Sequence, residues 1–265
     1  MKTTKNLLSL MLVILVFASN ISFAQESEQK PVFITITKMH FNLKADGKDW
    51  LKTEKEFFDK VTSQNELVVA SHVITHLYTA DNSEVEFVYV YNSWGDIEKA
   101  SEVNNKLIEK NFPDEAKRKA FFDKQSSYYT KKHSDEIYQS MSFAKQPATK
   151  VSKPQIIYIR KSQMALNGEG KGYNDFAKNV IHKNPLVKAY YPHRHLWGSD
   201  SRDFIEVFVF DSLADLEKSA DKNQELANIS WPDEAKRKEF FEGMNKLFTG
   251  KHADYIFQSV PELNK

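Results

Sequence analysis

The sequence predicts an α+β chain built from two β-α-β-β-α-β units in tandem, on three observations. First, the chain contains itself twice. Shifted by 119 positions, His76 to Ser140 aligns with His195 to Ser259 without a gap, and 27 of these 65 positions are identical. Second, apolar spacing within each copy switches in a fixed order between the two-residue repeat of a strand and the 3.6-residue repeat of a helix. Third, Lys145 to Lys153 lacks apolar periodicity and has a proline within it and another just after it, which reads as a linker. The expected organisation is a signal segment 1–24, a first unit 25–144, the linker 145–153 and a second unit 154–265.

In the first unit, Val32 to Phe41 alternates and is rich in β-branched and aromatic residues, which predicts a strand. Trp50, Leu51, Phe57, Phe58 and Val61 then fall at helical spacing. Leu67–Tyr78 and Val85–Tyr91 are β-type runs on either side of polar Thr79–Ser83, suited to a hairpin. A helix is predicted from about Asp96 to Glu109, with a break at Phe112-Pro113 and a second helix to about Tyr129. Pro113 suits a first helical position, with Asp114 and Glu115 at the positive end of the helix dipole. Asp114 with Arg118, and Glu115 with Lys119, have the i, i+4 spacing of surface ion pairs. Glu136 to Phe143 supplies the last strand. The second unit repeats this order, including an intact Pro-Asp-Glu-Ala-Lys-Arg-Lys at 232–238 and the paired Phe240-Phe241. The first copy has four extra residues near Asp46 to Thr53, because its first strand matches the second copy at an offset of 123.

This is the split unit of ferredoxin-like folds. Helices cover only one face of such a sheet, yet Phe87, Tyr89 and Tyr91 alternate with Val88 and Val90, so both faces require burial. The second copy is the simplest cover, giving two sheets face to face about a pseudo-twofold axis within one chain. In its element order, duplication, hairpin and proline-initiated helix, the chain resembles the dimeric α/β-barrel superfamily over nearly all of Pro31 to Ser259. That resemblance implies an intramolecular pseudo-dimeric α/β barrel of eight strands. It also implies a range of activities, among them cofactor-independent monooxygenases, small isomerases and haem-binding peroxidases. The glycine and aspartate loop of the haem peroxidases is missing here, and no cofactor is predicted.

Composition excludes several classes. There is no cysteine, hence no disulfide scaffold, thiolate site or lipidated N-terminal cysteine, and a net charge of +1 gives no pull on nucleic acid. Lys2 and Lys5 precede an apolar run of about 12 residues, Leu7 to Ala18, ending in Ser22-Phe23-Ala24: a signal peptide rather than a span of roughly 20 residues. The expectation is an exported chain, periplasmic or extracellular, monomeric and without a membrane span.

Eight histidines supply the candidate chemistry. Alternation puts His72, His76, His193 and His195 on one type of strand face, and only His76 and His195 are duplicated. His76 and His195 are therefore the first candidates for catalysis or ligand contact, against the alternative of histidines half-buried beside aromatics. His193 and His195, roughly 6.6 Å apart along a strand, are a weak metal pair. His133 and His252 each precede an aspartate by two residues, Asp135 and Asp254, which fits a tuned base or simple capping of the turn. Tyr78, Trp197, Tyr89, Tyr91, Phe208 and Phe210 are candidate walls for an apolar or aromatic ligand in a cleft between sheet and helices. Two readings follow: a small-molecule binder with cofactor-independent oxygenase or isomerase activity, or a noncatalytic envelope or stress-related protein with a packed barrel and protein contacts.

Overall fold

A computed structural model describes residues 30–149, 151–166, 168 and 170–265; the expected signal segment lies outside them. Eight strands form one closed antiparallel barrel. The first half contributes β1 (Phe33–Phe41), β2 (Ala70–Tyr78), β3 (Glu84–Tyr91) and β4 (Tyr129–Ser140), and the second contributes β5 (Ile156–Met164), β6 (Ala189–Trp197), β7 (Asp203–Phe210) and β8 (Phe248–Ser259). Each half is a four-stranded sheet, ordered β4-β1-β3-β2 and β8-β5-β7-β6. The halves join edge to edge, β2 on β8 and β4 on β6, so closure leaves no unpaired sheet edge. The two sheets therefore meet along both borders as well as across their faces.

Helices α1 (Trp50–Lys60), α2 (Trp94–Asn111), α3 (Glu115–Ser127), α4 (Tyr173–Phe176), α5 (Leu213–Ser230) and α6 (Glu234–Asn245) connect the strands. The second half answers the eleven-residue α1 with the single turn α4 and a π-helical turn, Ala177–Ile181, whose Ala177, Val180 and Ile181 are buried. Helices α2 and α5 start at the serine caps Ser93 and Ser212, which accept from Asp96 N and Asp215 N.

The repeated Pro-Asp-Glu-Ala-Lys-Arg-Lys block departs from the sequence expectation in a specific way. Asp114 and Asp233 are the N-caps, accepting from Lys117 N at 2.9 Å and Lys236 N at 3.0 Å, so each proline stands before the cap rather than inside the helix. Arg118 and Arg237 turn back to the last carbonyls of the preceding segment, Phe112 O at 2.9 Å and Trp231 O at 2.8 Å, instead of pairing with the aspartates. Lys119 pairs forward with Asp123 rather than back to Glu115. A free helix terminus leaves carbonyls without partners, and the arginine supplies one. The motif is a helix-to-helix joint used twice.

A second duplicated joint was not legible in the sequence. Asn65 and Asn184 are fully buried, and each bridges two elements. Asn184 Nδ2 donates to Asn223 Oδ1 at 2.8 Å and to Ser219, while its Oδ1 accepts from Leu186 N at 2.9 Å. Asn65 does the same with Asn104, Ala100 O and Leu67 N.

Candidate functional site

Alternation sorts the strand residues into two sets of very different size. On the outer face, Phe87, Tyr89 and Tyr91 pack in the first half with helix residues such as Phe58 and Ile97. Their counterparts Phe208 and Phe210 pack with Ala177, Ile181 and Val187 in the second. On the inner face stand mostly aliphatic residues: Ile34, Ile36, Val88 and Val90 in one half, and Ile157, Ile159, Val207 and Val209 in the other. Ala70 and Ala189, at matching positions, add almost no volume. Eight strands enclose a space that side chains can just fill, or that can hold one small ligand if they do not. Here they do not, and the interior holds a cavity of about 930 Å³. Linker residues such as Pro147 and Ala148 and the C-terminal Asn264 and Lys265 also wall it.

This location corrects the expected cleft between sheet and helices. Tyr89, Tyr91, Phe208 and Phe210 are outer-face packing residues and none of them lines the cavity. Tyr78 and Trp197 sit at the ends of their strands, 63% and 70% exposed. The sheet–helix space of the first half retains only about 20 Å³ beside Glu54 and Phe87, and that of the second is packed by Tyr173, Phe204, Tyr190, Phe208 and Phe248. A haem does not fit a space of about 20 Å³.

Within the polar part of the lining, several groups have unusual surroundings. His72 and His193 both line the cavity. Burial lowers the pKa of both rings, His72 despite its neighbour Asn264, and His193 to about 4, so His193 is a neutral imidazole at physiological pH. His193 Nδ1 is buried without a hydrogen-bond partner. Tyr191, whose hydroxyl is pushed up to about 12 by burial, stands two residues before His193 on the same face. Toward the hairpin ends the lining becomes charged: Lys38, Glu86 and Glu136 come from the first half and Lys161 from the second.

The histidines favoured by duplication lie elsewhere. His76 does not line the cavity: β2 bulges between His76 and Tyr78, and the His76 Nδ1 meets Thr79 Oγ1 at 2.9 Å and accepts from Thr79 N at 3.3 Å. His195 packs edge-on against Tyr138, with ring centroids 5.6 Å apart, and its Nε2 is buried without a partner. Gly198, at φ +142°, lets the hairpin close over it; a Cβ there would lie 3.0 Å from that Nε2. His133 and His252 are exposed, with Nε2 3.6 Å and 3.4 Å from Asp135 and Asp254. These aspartates belong to β4 and β8 and bond across strands, to Thr37 Oγ1 and to Tyr158 OH and Arg160, rather than capping a turn. Among the described residues no three His, Cys, Asp or Glu side chains are grouped to hold a metal ion, so His193 and His195 lack a third ligand of these types. No helix among them is long and apolar enough to cross a membrane.

No family model matches the chain, and no curated protein matches it. Solved structures do resemble it in shape. A putative monooxygenase from Fusobacterium nucleatum superposes with a TM-score of 0.56 at 10% identity, over 87% of this chain and 93% of the other. A putative monooxygenase from Lactobacillus acidophilus NCFM gives 0.52 at 9% identity, over 87% and 94%. An anthrone oxidase-like protein gives 0.51 at 13% identity, over 88% and 92%. At such identities the likeness is one of fold. The element order, the ring of eight strands and these superpositions together establish that the chain has the dimeric α/β-barrel fold, with two ferredoxin-like halves in tandem on one polypeptide.

Proposed function

We propose that the chain binds one small, predominantly apolar molecule, aliphatic or aromatic, inside the barrel, with His72 and His193 as its polar contacts. The observation that carries this reading is the unfilled interior of about 930 Å³, walled by aliphatic side chains and two desolvated imidazoles. Ligand sites are typically apolar concavities of about 300–1,000 Å³ with a few placed polar groups. A solidly packed barrel serving only as a surface for protein contacts would not leave such a space. His72 and His193 take precedence over His76 and His195, whose rings are engaged at the hairpin ends.

The test is a titration with the neutral fluorescent probe N-phenyl-1-naphthylamine. Saturable binding of one probe per chain is expected, lost by at least tenfold in a variant carrying both Ala70→Phe and Ala189→Phe, which fill the cavity from opposite halves. Equal binding by that variant, or none by the unaltered chain, overturns the proposal.

A second reading, turnover of the ligand by a cofactor-independent oxygenase or isomerase, draws support from His193. A neutral imidazole with an unpartnered Nδ1 in an apolar cavity can hydrogen-bond a bound ligand and hold it for reaction. Oxygen uptake with an anthrone-type substrate, abolished by His193→Phe, would support it; no uptake with such substrates would leave binding alone. We also place the chain outside the cytoplasm as a monomer, on the strength of the N-terminal apolar segment and the closed barrel edges. N-terminal sequencing of the mature chain and light scattering test those two points.

A further inference from the structure

The cavity is not electrically neutral along its length. At the hairpin end, Lys38 Nζ lies 3.2 Å from Glu84 Oε1 and 3.3 Å from Glu86 Oε1, and Lys161 Nζ lies 2.6 Å from Asp203 Oδ2 and 3.7 Å from Glu136 Oε1. Lys38 and Lys161 occupy matching positions on β1 and β5, and each is shared between two carboxylates. At this end four acids thus face two ammonium groups, with Glu86, Glu136, Lys38 and Lys161 on the cavity wall and Glu84 and Asp203 behind it; the other lining lysines, Lys30 before β1 and Lys265 beside Ser71, stand at the opposite end.

Glu84, Glu86 and Asp203 are each more than nine-tenths buried. Glu84 Oε2 has no partner at all. Glu136 is held by Tyr138 OH at 2.5 Å and Ser199 Oγ at 2.7 Å, which leaves its charge but fixes its position. Burial, reinforced by the charges of Glu84 and Glu136, raises the Glu86 carboxyl above the usual range despite Lys38 beside it. A second, independent observation points to a ligand from the cavity wall: His193, 7% exposed, presents an unpartnered Nδ1 in the row that runs through Ile205 to Lys161.

We propose that the barrel interior selects organic cations, in which an apolar body carries a protonated amine seated on Glu86 and Glu136. This rests on the binding role proposed above and names its ligand class. The ammonium supplies positive charge and hydrogen-bond donors where carboxylates outnumber lysines, and the body lies against the aliphatic wall. A carboxylate of the same size placed at this end would add negative charge to a buried site where acids already exceed lysines, and is disfavoured there. Charge at the floor, rather than shape, then separates ligands of equal length.

The experiment is isothermal titration of the full chain at neutral pH with octylamine, octan-1-ol and octanoate, which share a chain length and differ in charge. Octylamine is expected to bind at least tenfold more tightly than octanoate, with the alcohol between them. Glu86→Gln should reduce that amine-to-carboxylate ratio at least fivefold, and Glu136→Gln should act in the same direction. Binding of octanol with octanoate equal to or tighter than octylamine overturns the cation inference and leaves the cavity role standing. Binding of none of the three overturns both. Should either variant fail to fold, the ranking measured on the unaltered chain decides.

Discussion

The two halves of the barrel agree where they build and differ where they touch the interior's polar ground. Val88 and Val90 answer Val207 and Val209, Ile34 and Ile36 answer Ile157 and Ile159, and Ala70 answers Ala189. These pairs form the frame of the cavity. The polar lining breaks the symmetry. His72 stands opposite Tyr191, Ile74 opposite His193, Glu86 opposite Ile205 and Glu136 opposite Tyr255. One half therefore supplies acids and an imidazole, the other an imidazole and phenols. On the binding role proposed above, a ligand within this ring would meet two unlike walls, although the fold that surrounds it is nearly twofold. Duplicated residues thus mark architecture, and the unduplicated ones mark the site.

That division can be broken most severely at the buried asparagines. Asn65→Ala and Asn184→Ala should each cost about 2–4 kcal/mol, since each removes several buried hydrogen bonds and strands backbone groups. Chemical denaturation that finds one of them neutral would show that the halves are not equivalent frames.

The next effect distinguishes the halves through pH. The folded pKa of His193, about 4, lies below the ordinary 6.5, so the unfolded chain binds the proton more readily. Its contribution is complete above about pH 6.5 and is lost as pH falls toward 4, amounting to about 3 kcal/mol. Between those limits the unaltered chain should lose that much more stability than His193→Phe. Parallel pH curves for the two would mean that the ring is solvated and does not belong to a dry wall.

The smallest effect is expected at the exposed histidines. His133→Ala and His252→Ala should each change stability by less than about 0.5 kcal/mol and leave probe binding unaltered. A loss of binding in either would move the site to the outer strands.

The sequence carried the architecture well, because duplication and periodicity are properties of the chain alone. Alternation placed His72 and His193 correctly on one face together with Ala70, Ile74 and Tyr191. It could not say whether that face looked inward or toward the helices, since Val88 and Tyr89 are both apolar. Side-chain volume decides the matter: rings fill the wide sheet–helix layer, and the barrel takes the smaller residues. The bulge after His76 was also invisible, as it depends on the register between β2 and β8, strands of different halves. Equally hidden were the shared lysines, whose partners come from strands far apart in sequence.

The central claim is a hollow interior, and a crystal structure of the chain under xenon pressure tests it most directly. Apolar cavities without ordered water take up xenon. The account predicts xenon, or density for a retained ligand, on the barrel axis between Ile36, Val88, Ile159 and Val207. An interior closed by side chains, with no density of either kind, would contradict it.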